Sequence, residues 1–375
     1  MKNLILTLLI LAHLPLMAVT CNKPMVQLND PPLQDIKLPP GFQISIFARV
    51  DNARSLAIGD KGTVFVGNRE GKKVTALVDE NGDGVAEKQF VIADGMTTPN
   101  GVAFKDGDLY VAEVSKIWKF SDIESKLENP GQPELVYDQL PTDKHHGWKY
   151  IAFGPDGKLY IPIGAPCNIC DNTEKDPRYA SITRMNADGT GFEIFAHGIR
   201  NSVGFAWHPG TGDLWFTENG RDMMGDDIPH DELNVAPKAG MHFGYPFIHA
   251  DDVIDPEFGQ GKKPSDYTPP VQKLNPHGAA LGMKFYTGDQ FPASYKNQVF
   301  IAEHGSWNRS TPIGYRVSLV RLEGNKAIAY EDFASGWLKD GEAWGRPVDV
   351  LQLRDGSLLV SDDHAGLVYR ISYKK

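Results

Sequence analysis

The sequence is poor in cysteine, in basic charge and in long apolar runs. Only three cysteines occur among 375 residues, which excludes a small scaffold held together by disulfides. The formal net charge is −10 at pH 7, so the chain lacks the excess of basic residues that favours binding to nucleic acid or anionic lipid. No stretch beyond the N-terminal segment is long and apolar enough for a membrane helix. These absences favour an ordinary globular protein with no nucleic-acid partner.

The short motifs of several large enzyme classes are also missing. The chain contains no Gly-x-Ser-x-Gly nucleophile elbow, no P-loop and no His-Glu-x-x-His zinc motif. No Gly-x-Gly-x-x-Gly follows a strand pattern, so NAD or FAD in a Rossmann fold is disfavoured. Recurring long amphipathic helices are absent as well, which argues against a layered α/β fold.

The N-terminus has the pattern of an export signal. Lys2 precedes an aliphatic run that is too short to span a bilayer, so residues 1–20 are predicted to be a cleaved signal peptide. Cys21 stands where a lipoprotein signal places its acylated cysteine, whereas Thr20 is a poor residue before such a site. A lipid anchor at Cys21 and simple cleavage therefore both remain open. Either way, we expect a periplasmic or secreted protein that begins with a Pro-rich lead-in over residues 21–40.

Glycine and proline are plentiful, and they mark a repeated hairpin. With 38 Gly and 26 Pro, the chain favours short strands and turns. An apolar alternating run, an Asp-Gly type of turn and a second run recur from Ser55, Gly101, Tyr150, Gly204, Leu281 and Asp349. Six copies at about 56 residues each match four-stranded propeller blades. We therefore predict an all-β, six-bladed β-propeller as a single domain over residues 41–375, closed by strands from its two ends.

Polar side chains precede successive hairpins, where a propeller brings them to one axial face. His146, next to His145, can present a neutral imidazole as a general base, unless it is simply a buried, hydrogen-bonded histidine. Arg200 and Asn201 offer planar donors for carboxylate or carbonyl oxygens, with a surface ion pair as the alternative. The recurrence of these groups before neighbouring hairpins favours a shared pocket.

Further along the chain, basic and aromatic groups again stand at predicted blade edges. They comprise His277, His304, Arg309, Trp344 and Arg346. Together they would form a pocket with aromatic walls and a cationic floor, suited to a flat anionic ligand. Without the repeat pattern, scattered surface and core residues would explain them equally well.

Two acidic loops are candidate calcium sites. The insert that follows Thr217 contains Asp222, Asp226, Asp227, Asp231 and Glu232, which form either a hard-cation site or a solvated loop. The second loop opens like a calcium loop with Asp79, Asn81, Asp83 and Glu87, but Phe90 stands where a bidentate Glu would be expected. It is therefore either a structural calcium hairpin or a plain turn.

The pair Cys167 and Cys170 forms a local Cys-x-x-Cys motif. In an exported protein such a pair favours a small-loop disulfide over a redox role. No histidine follows Cys170, so c-type haem attachment is disfavoured, and no further zinc ligands stand nearby.

Four segments in combination carry a family resemblance. They are HHGWKYIAFGPDGKLYIPIGAPCNIC, HGIRN, the insert that ends in DELNVAPKAGMHFGYP, and GRPVDV. Over residues 40–373 the chain resembles the soluble PQQ-dependent sugar dehydrogenases, in particular the branch of aldose and L-sorbosone dehydrogenases. The resemblance implies a six-bladed propeller that binds pyrroloquinoline quinone (PQQ) and Ca²⁺ on its axial face.

The resemblance also assigns roles to residues around the quinone. His146 matches the general base, and Arg200 with Asn201 matches the pair that contacts the reactive carbonyl region of the quinone. Asn100 matches an early position on the cofactor side. The implied chemistry has Arg200 and Ca²⁺ polarise the quinone while His146 takes the proton of the sugar hydroxyl.

The same resemblance implies a calcium loop. Gly220 and Arg221 match the positions whose backbone carbonyls bind the Ca²⁺ next to the cofactor. Asp231 and Glu232 match the acidic pair that helps to hold this loop.

Several positions depart from the glucose-oxidising members. Arg346 matches the first of two arginines that pair with the cofactor carboxylates, but Val348 occupies the second position. His277 stands in place of a small polar residue, and His304 or Arg309 takes the place of a basic contact. We therefore expect a changed set of cofactor contacts.

The implied activity is PQQ-dependent oxidation of a sugar, either an aldose or a sorbosone-like ketoaldehyde. Hydride passes to the quinone, and the electrons then pass to an external acceptor, which is a quinone or a redox protein. Two alternatives remain at this point: a Ca²⁺-dependent lactone hydrolase on a six-bladed propeller, and a non-catalytic propeller that binds a protein or glycan.

Overall fold

The computed structural model describes residues 31–172 and 174–374. The predicted signal peptide and the candidate lipid anchor at Cys21 lie outside these residues. Within them the regular structure consists of strands and four short 3₁₀ turns, at Leu33–Asp35, Ile123–Ser125, Pro264–Asp266 and Ala293–Tyr295. None of the helical turns in this part of the chain is long enough to cross a bilayer.

The first half of the chain contains the strands β1 Phe42–Arg49, β2 Ala53–Ile58, β3 Val64–Asn68, β4 Val74–Val78, β5 Lys88–Ala93, β6 Gly101–Lys105, β7 Asp108–Ala112, β8 Ile117–Phe120, β9 Glu134–Tyr137, β10 Ala152–Phe153, β11 Leu159–Ile163, β12 Ser181–Met185 and β13 Glu193–His197. The second half contains β14 Phe205–Trp207, β15 Leu214–Glu218, β16 His230–Ala236, β17 Met241–His242, β18 Ile248–His249, β19 Val253–Ile254, β20 Gln272–Pro276, β21 Ala280–Phe285, β22 Val299–Glu303, β23 Arg316–Glu323, β24 Lys326–Ser335, β25 Leu338–Lys339, β26 Glu342–Ala343, β27 Pro347–Gln352, β28 Leu358–Asp362 and β29 Leu367–Tyr373.

Most of these strands form six antiparallel blades, which confirms the predicted six-bladed propeller, while β18 with β19 and β25 with β26 form separate two-stranded sheets. The blades have the strand orders β2-β3-β4-β5, β6-β7-β8-β9, β10-β11-β12-β13, β14-β15-β16-β20, β21-β22-β23-β24 and β27-β28-β29-β1. The short strand β17 adds a parallel edge to the third blade. Each of the six predicted hairpins forms the first two strands of one blade.

The ring closes between the two ends of the described chain, as predicted. Strand β1 pairs with β29 from Phe42↔Tyr373 to Arg49↔Leu367, so the last blade takes its outer strand from the beginning of the chain. Phe42 fixes this strand by edge-on contacts with four aromatic rings of the blade junction, including Phe291 and Phe333 at centroid distances of 4.7 and 5.0 Å.

The core is divided among the blade junctions. Six apolar clusters each join two neighbouring sheets, including the junction between the last blade and the first. Because both faces of a blade are covered, central strands are buried along their whole length, as in β3 and β22. This packing explains why the hairpins are apolar on both sides of their turns.

Antiparallel order decides which loops meet. The start of the innermost strand and the end of the second strand of every blade lie at the same end of the ring. The segments before β2, β10, β14, β21 and β27 and those after β3, β15 and β22 therefore converge on one face, where the site is built.

Candidate active site

A pocket of about 590 Å³ opens at this end of the ring. Ten of the residues singled out from sequence line it: His145, His146, Arg200, Asn201, Gly220, Asp222, Asp231, His277, His304 and Arg346. They come from loops that are far apart in sequence, and the propeller geometry brings them together. The expectation of one shared pocket is therefore met for this set.

Asn100 lies behind the pocket wall and does not line it. It is fully buried, and its Nδ2 donates to the backbone oxygen of Lys149 at 2.7 Å. Its Oδ1 accepts from Nε of Arg54 at 2.9 Å, and Arg54 does line the pocket. In this structure Asn100 thus orients a cation that faces the pocket.

Three other predicted residues also turn away from the pocket. The Arg221 guanidinium donates to the buried carboxylate of Asp255 at 2.5 Å. Glu232 accepts from the backbone N–H of Ala250 at 2.7 Å. Arg309 binds the loop carbonyl of Asp226 through its guanidinium. Their side chains hold the loops that surround the site.

His146 is fixed as a neutral imidazole with one nitrogen engaged. Its Nδ1 lies 2.8 Å from the backbone oxygen of Ala165, so Nδ1 carries the proton and Nε2 is the unprotonated nitrogen. Burial, followed by the charges of Arg200 and His145, holds the pKa of His146 well below 6.5. A buried imidazole of this kind is a proton acceptor at neutral pH.

The backbone around His146 is closely packed and locally strained. His146 has a φ of +48°, a region that residues other than glycine rarely adopt. Gly164 lies against it, and a Cβ at that position would come within 2.6 Å of the His146 Cβ. His277 and Ala279, which also line the pocket, have positive φ values of 59° and 56°.

Arg200 is buried at the pocket wall and held on several sides. Its Nη2 lies 3.1 Å from the Asp222 carboxylate, and its Nη1 donates to the backbone oxygen of Asn219 at 3.2 Å. Nε donates to the backbone oxygen of Asn168 at 2.8 Å. Asn201 follows, with its Nδ2 at 3.4 Å from Oδ1 of Asn219. The two predicted neighbours therefore share one wall.

The predicted calcium loop is anchored by Asp231. One oxygen of its carboxylate accepts from the N–H of Gly220 at 2.9 Å, and the other accepts from the N–H of Ala280 at 3.1 Å. Burial raises the pKa of Asp231 to about 7. Asp231 thus fixes the backbone of Gly220, as the resemblance implied, and joins this loop to the fifth blade.

The sequence-based reasoning missed three cations that line the same pocket: Arg54, Arg69 and Lys144. The guanidinium of Arg69 lies 4.0 Å from the ring centroid of Trp148. Burial, followed by the charge of Arg54, lowers the pKa of Arg69. The repeat could have revealed two of them, since Arg54 is the second residue of an inner strand and Arg69 directly follows a second strand. The same positions supply pocket residues in other blades.

Val348 packs beneath these cations. It is buried in a small cluster with Val203 and Leu281, against which Trp148 packs. Because Trp148 carries Arg69 on its ring, a cation faces the pocket from the first blade although valine occupies position 348. The departure noted from sequence leaves the pocket strongly cationic.

Arg54 and His304 share one carboxylate. Asp363 accepts from Nη1 of Arg54 at 2.8 Å and from Nε2 of His304 at 2.8 Å. Burial, followed by Arg346, lowers the pKa of His304 to about 3, so this histidine is neutral. His304 and Arg54 hold the pKa of Asp363 far below its usual range despite burial. The guanidinium of Arg346 donates to the carbonyl oxygens of His304 and Gly305 at 3.1 and 2.9 Å, and it lies 5.6 Å from the ring centroid of Tyr315.

Two further sequence-based predictions lie outside the pocket. Cys167 and Cys170 form a disulfide, as predicted. Asp79, Asp83 and Glu87 bring carboxylate oxygens within 4.8 Å of one another, while Nδ2 of Asn81 donates to Glu87 at 2.6 Å. Several of these oxygens accept backbone N–H groups of the loop itself, so calcium at this hairpin stays a prediction.

The chain is similar to a known protein family along almost all of its described length. A family model described as TrAA12-like matches residues 36–374. An uncharacterized protein of Borreliella burgdorferi is 33% identical over 356 residues, which cover 91% of each chain.

Two solved structures share the fold. The calcium structure of the Trichoderma reesei carbohydrate-active enzyme of family AA12 has a TM-score of 0.78 at 17% identity, over 90% of this chain and 97% of that one. The holo form of the pyranose dehydrogenase PQQ domain from Coprinopsis cinerea has a TM-score of 0.76 at 18% identity, over 90% and 97%. The fold is thus that of PQQ-dependent sugar oxidoreductases, and the resemblance found in the sequence is confirmed. The chain belongs to the TrAA12-like family.

Proposed function

We propose that this protein is a PQQ-dependent sugar dehydrogenase that oxidises an aldose or a related ketoaldehyde. One observation carries the proposal: a neutral histidine with an unprotonated Nε2 lines the same pocket as four arginines. The lactone hydrolase alternative would not need such a set of cations, because its substrate carries no comparable negative charge. The PQQ domain and the AA12 enzyme that share this fold support the same reading.

The pocket fits the cofactor by charge and by its unpartnered polar atoms. PQQ is a flat quinone with three carboxylates, and Arg69 and Arg346 form no ion pair with the residues that the structure describes. Nδ1 of His277 and Oδ1 of Asn308 are buried without a hydrogen-bond partner and belong to lining residues. Arg54, Arg69 and Arg346 would hold the carboxylates, with Trp148 beneath Arg69. When bound, PQQ supplies a quinone that accepts a hydride.

The protein side of the reaction rests on His146. Its Nε2 accepts the proton of the sugar hydroxyl, and Nδ1 keeps its own proton on the oxygen of Ala165 throughout. The imidazolium that forms is destabilised by the nearby Arg200, so it releases the proton readily. Arg200 presents its guanidinium at the same wall, where it orients a carbonyl oxygen.

Calcium is the second proposed cofactor. The backbone carbonyls of Gly220 and Arg221 would provide hard oxygen ligands, the type that Ca²⁺ prefers. Asp231 fixes the loop through the N–H of Gly220, and the Asp222 carboxylate lines the pocket next to it.

The open side of the pocket suits a sugar. Trp307 lines the pocket with 68% of its surface exposed, which offers an aromatic face at the entrance. We propose that the sugar binds here and that an external quinone or redox protein takes up the electrons. Export to the periplasm or beyond is also proposed, and the Cys167–Cys170 disulfide supports an oxidising compartment.

The direct test is reconstitution. PQQ and Ca²⁺ are added to the purified protein, and reduction of an artificial electron acceptor is followed with a panel of aldoses and ketoaldehydes. We expect dye reduction that depends on PQQ. Lactone hydrolysis without PQQ would favour the hydrolase, and no activity in either assay would favour a binding propeller.

A second prediction concerns cofactor affinity. We expect Arg69→Met to raise the Kd for PQQ by about 30-fold or more, because a desolvated charge pair is lost. The matched control is Arg321→Met, which removes an arginine that is paired with Glu331 on the outer part of the fifth blade. Titration of protein fluorescence with PQQ measures both. Equal affinities for the two variants would remove Arg69 from the binding site.

A further inference from the structure

Two residues before the loop closed by the Cys167–Cys170 disulfide, Ala165 contacts the two central groups of the site. Ala165 accepts from Nδ1 of His146 at 2.8 Å through its carbonyl, and its N–H donates to the backbone oxygen of Arg200 at 2.7 Å. The disulfide loop thus follows closely on Ala165, which links the proposed base to the neighbouring arginine.

Asn168 lies between the two cysteines and carries the main contacts of the loop with Arg200. Its backbone oxygen accepts from Nε of Arg200 at 2.8 Å, and its Oδ1 accepts from Nη2 at 2.9 Å. Two N–H groups on one edge of the guanidinium therefore bind a single residue. Such a fork sets the plane of the guanidinium as well as its position.

The same side chain holds the adjoining loop. Oδ1 of Asn168 also accepts the backbone N–H of Asp222 at 2.8 Å, and Nδ2 donates to the backbone oxygen of Asp222 at 3.1 Å. Asp222 in turn places its carboxylate 3.1 Å from Nη2 of Arg200. One amide thus ties together Arg200 and the segment that follows Gly220.

The loop is docked at its other end on a buried tyrosine. The N–H of Cys170 donates to the hydroxyl of Tyr245 at 3.0 Å, and Tyr245 is 3% exposed. A four-residue disulfide loop with anchors at both ends leaves Asn168 few alternative conformations.

We propose that Asn168, presented by the Cys167–Cys170 disulfide loop, is a positioning residue that fixes the Arg200 guanidinium and the Asp222 backbone at the pocket wall. The effect on turnover rests on the proposed function, whereas the structural effect on Arg200 does not. Asn168 acts through Arg200 and lies in the loop behind it, outside the set of pocket-lining residues.

The test follows the Arg200 Nε–Hε resonance by NMR in the full-length protein, assigned by its loss in Arg200→Lys. We expect Asn168→Ala to speed exchange of this proton with water by about tenfold or more. The variant removes the bond from Nη2 to Oδ1, so the remaining bond from Nε to the backbone oxygen should open more often. The matched control is Asn172→Ala, which should keep the wild-type rate. Within the described residues its side-chain amide donates to Sγ of Cys170 at 3.2 Å and makes no hydrogen bond to Arg200.

A kinetic readout accompanies the spectrum. With PQQ, Ca²⁺ and sugar, Asn168→Ala should lower kcat by about tenfold while KM for the sugar changes little, because Arg200 serves the reaction and not sugar binding. Wild-type exchange and wild-type kcat in Asn168→Ala would each overturn the proposal. If the wild-type protein shows no PQQ-dependent activity, the proposed function fails. The exchange rates would still test whether Asn168 positions the Arg200 guanidinium.

A second variant covers poor folding of Asn168→Ala. The double variant Cys167→Ser with Cys170→Ser keeps the Asn168 side chain and removes only the covalent closure of its loop. We expect an exchange rate of the Arg200 Nε–Hε proton that lies between the rates of wild type and Asn168→Ala. If Asn168→Ala does not fold, the rate of the double variant should still exceed that of wild type. An unchanged rate in the folded double variant would show that the disulfide does not help Asn168 to position Arg200. That result would overturn the part of the proposal that concerns the disulfide.

Discussion

His146→Ala should lower kcat by about 100-fold or more at pH 7, because the loss of a general base typically costs a factor of this size. The structure supplies the reason, since His146 is the lining imidazole whose Nδ1 is held by a backbone carbonyl while Nε2 remains a proton acceptor. PQQ affinity should survive, because the arginines proposed to hold the carboxylates are unchanged. Steady-state kinetics and a PQQ titration of the same sample measure the two effects separately.

The pH profile gives this prediction a second signature. Only unprotonated Nε2 can accept a proton, so kcat/KM of the wild type should rise with pH through the pKa of His146. Burial and the charge of Arg200 place that pKa well below 6.5, so activity should be level above pH 6.5 and fall in more acidic solution. The residual activity of His146→Ala should lack this acid limb.

His208→Asn is the matched control for the loss of a histidine. His208 lies in the turn between β14 and β15, where its Nδ1 accepts backbone N–H groups at 3.1 and 3.2 Å, and it is outside the pocket. This variant should keep the wild-type kcat and the acid limb. Turnover at the wild-type level in His146→Ala would remove His146 from the role of base.

Asp363→Ala should lower the free energy of unfolding by about 3–5 kcal/mol, the usual cost of removing one partner of a buried ion pair. Asp363 accepts from both Arg54 and His304, and Arg54 is only 1% exposed. Without the carboxylate, the Arg54 guanidinium would remain buried beside Arg69 and Arg346 with no opposing charge. Urea unfolding at pH 7 measures the loss.

The pH dependence of this contribution has a defined sign. The folded-state pKa of Asp363 lies far below its usual value near 3.8, so the stabilisation is complete above that value and is lost only in strongly acidic solution. At pH 7 the whole effect is therefore present. Asp363→Ala and wild type should converge in stability only in strong acid.

Asp289→Ala is the surface control. Asp289 pairs with Lys296 at 2.5 Å, but its side chain is 92% exposed, so its removal should cost at most about 1 kcal/mol. Equal losses of unfolding free energy in the two variants would contradict the assignment of Asp363 as the counter-ion that compensates the positive charge of Arg54.

The fold could be predicted because its information is local. Each hairpin shows period-2 alternation around a turn with Asp and Gly, and six such copies specify six blades. The closing pair of β1 with β29 could also be anticipated, since a strand at each end of the domain lacked a partner. The two-sided burial of the blades follows from the same apolar pattern.

The site was predicted in part. His146, Arg200 and Arg346 could be found because motif and repeat position agreed. Arg54 and Arg69 were missed because no motif surrounds them, and each reads as an ordinary charged residue of the first blade. Val348 occupies the position of an arginine in the glucose-oxidising members, which suggested that the pocket has one cation fewer. In the closed ring Arg69 packs on Trp148, which packs against the cluster of Val348, and supplies a cation there.

The sequence by itself thus determined the architecture, the presence of a local disulfide and the main candidates for proton and carboxylate chemistry. Only the tertiary structure decided which groups share a pocket, which ones stand behind it and how each is charged. The reason is physical: hairpin formation depends on neighbours along the chain, whereas the tautomer of His146, the pairing of Asp363 with Arg54 and His304, and the hold of Asn168 on Arg200 depend on contacts between blades or loops. Burial and Coulomb interactions act through space, so they exist only once the ring has closed.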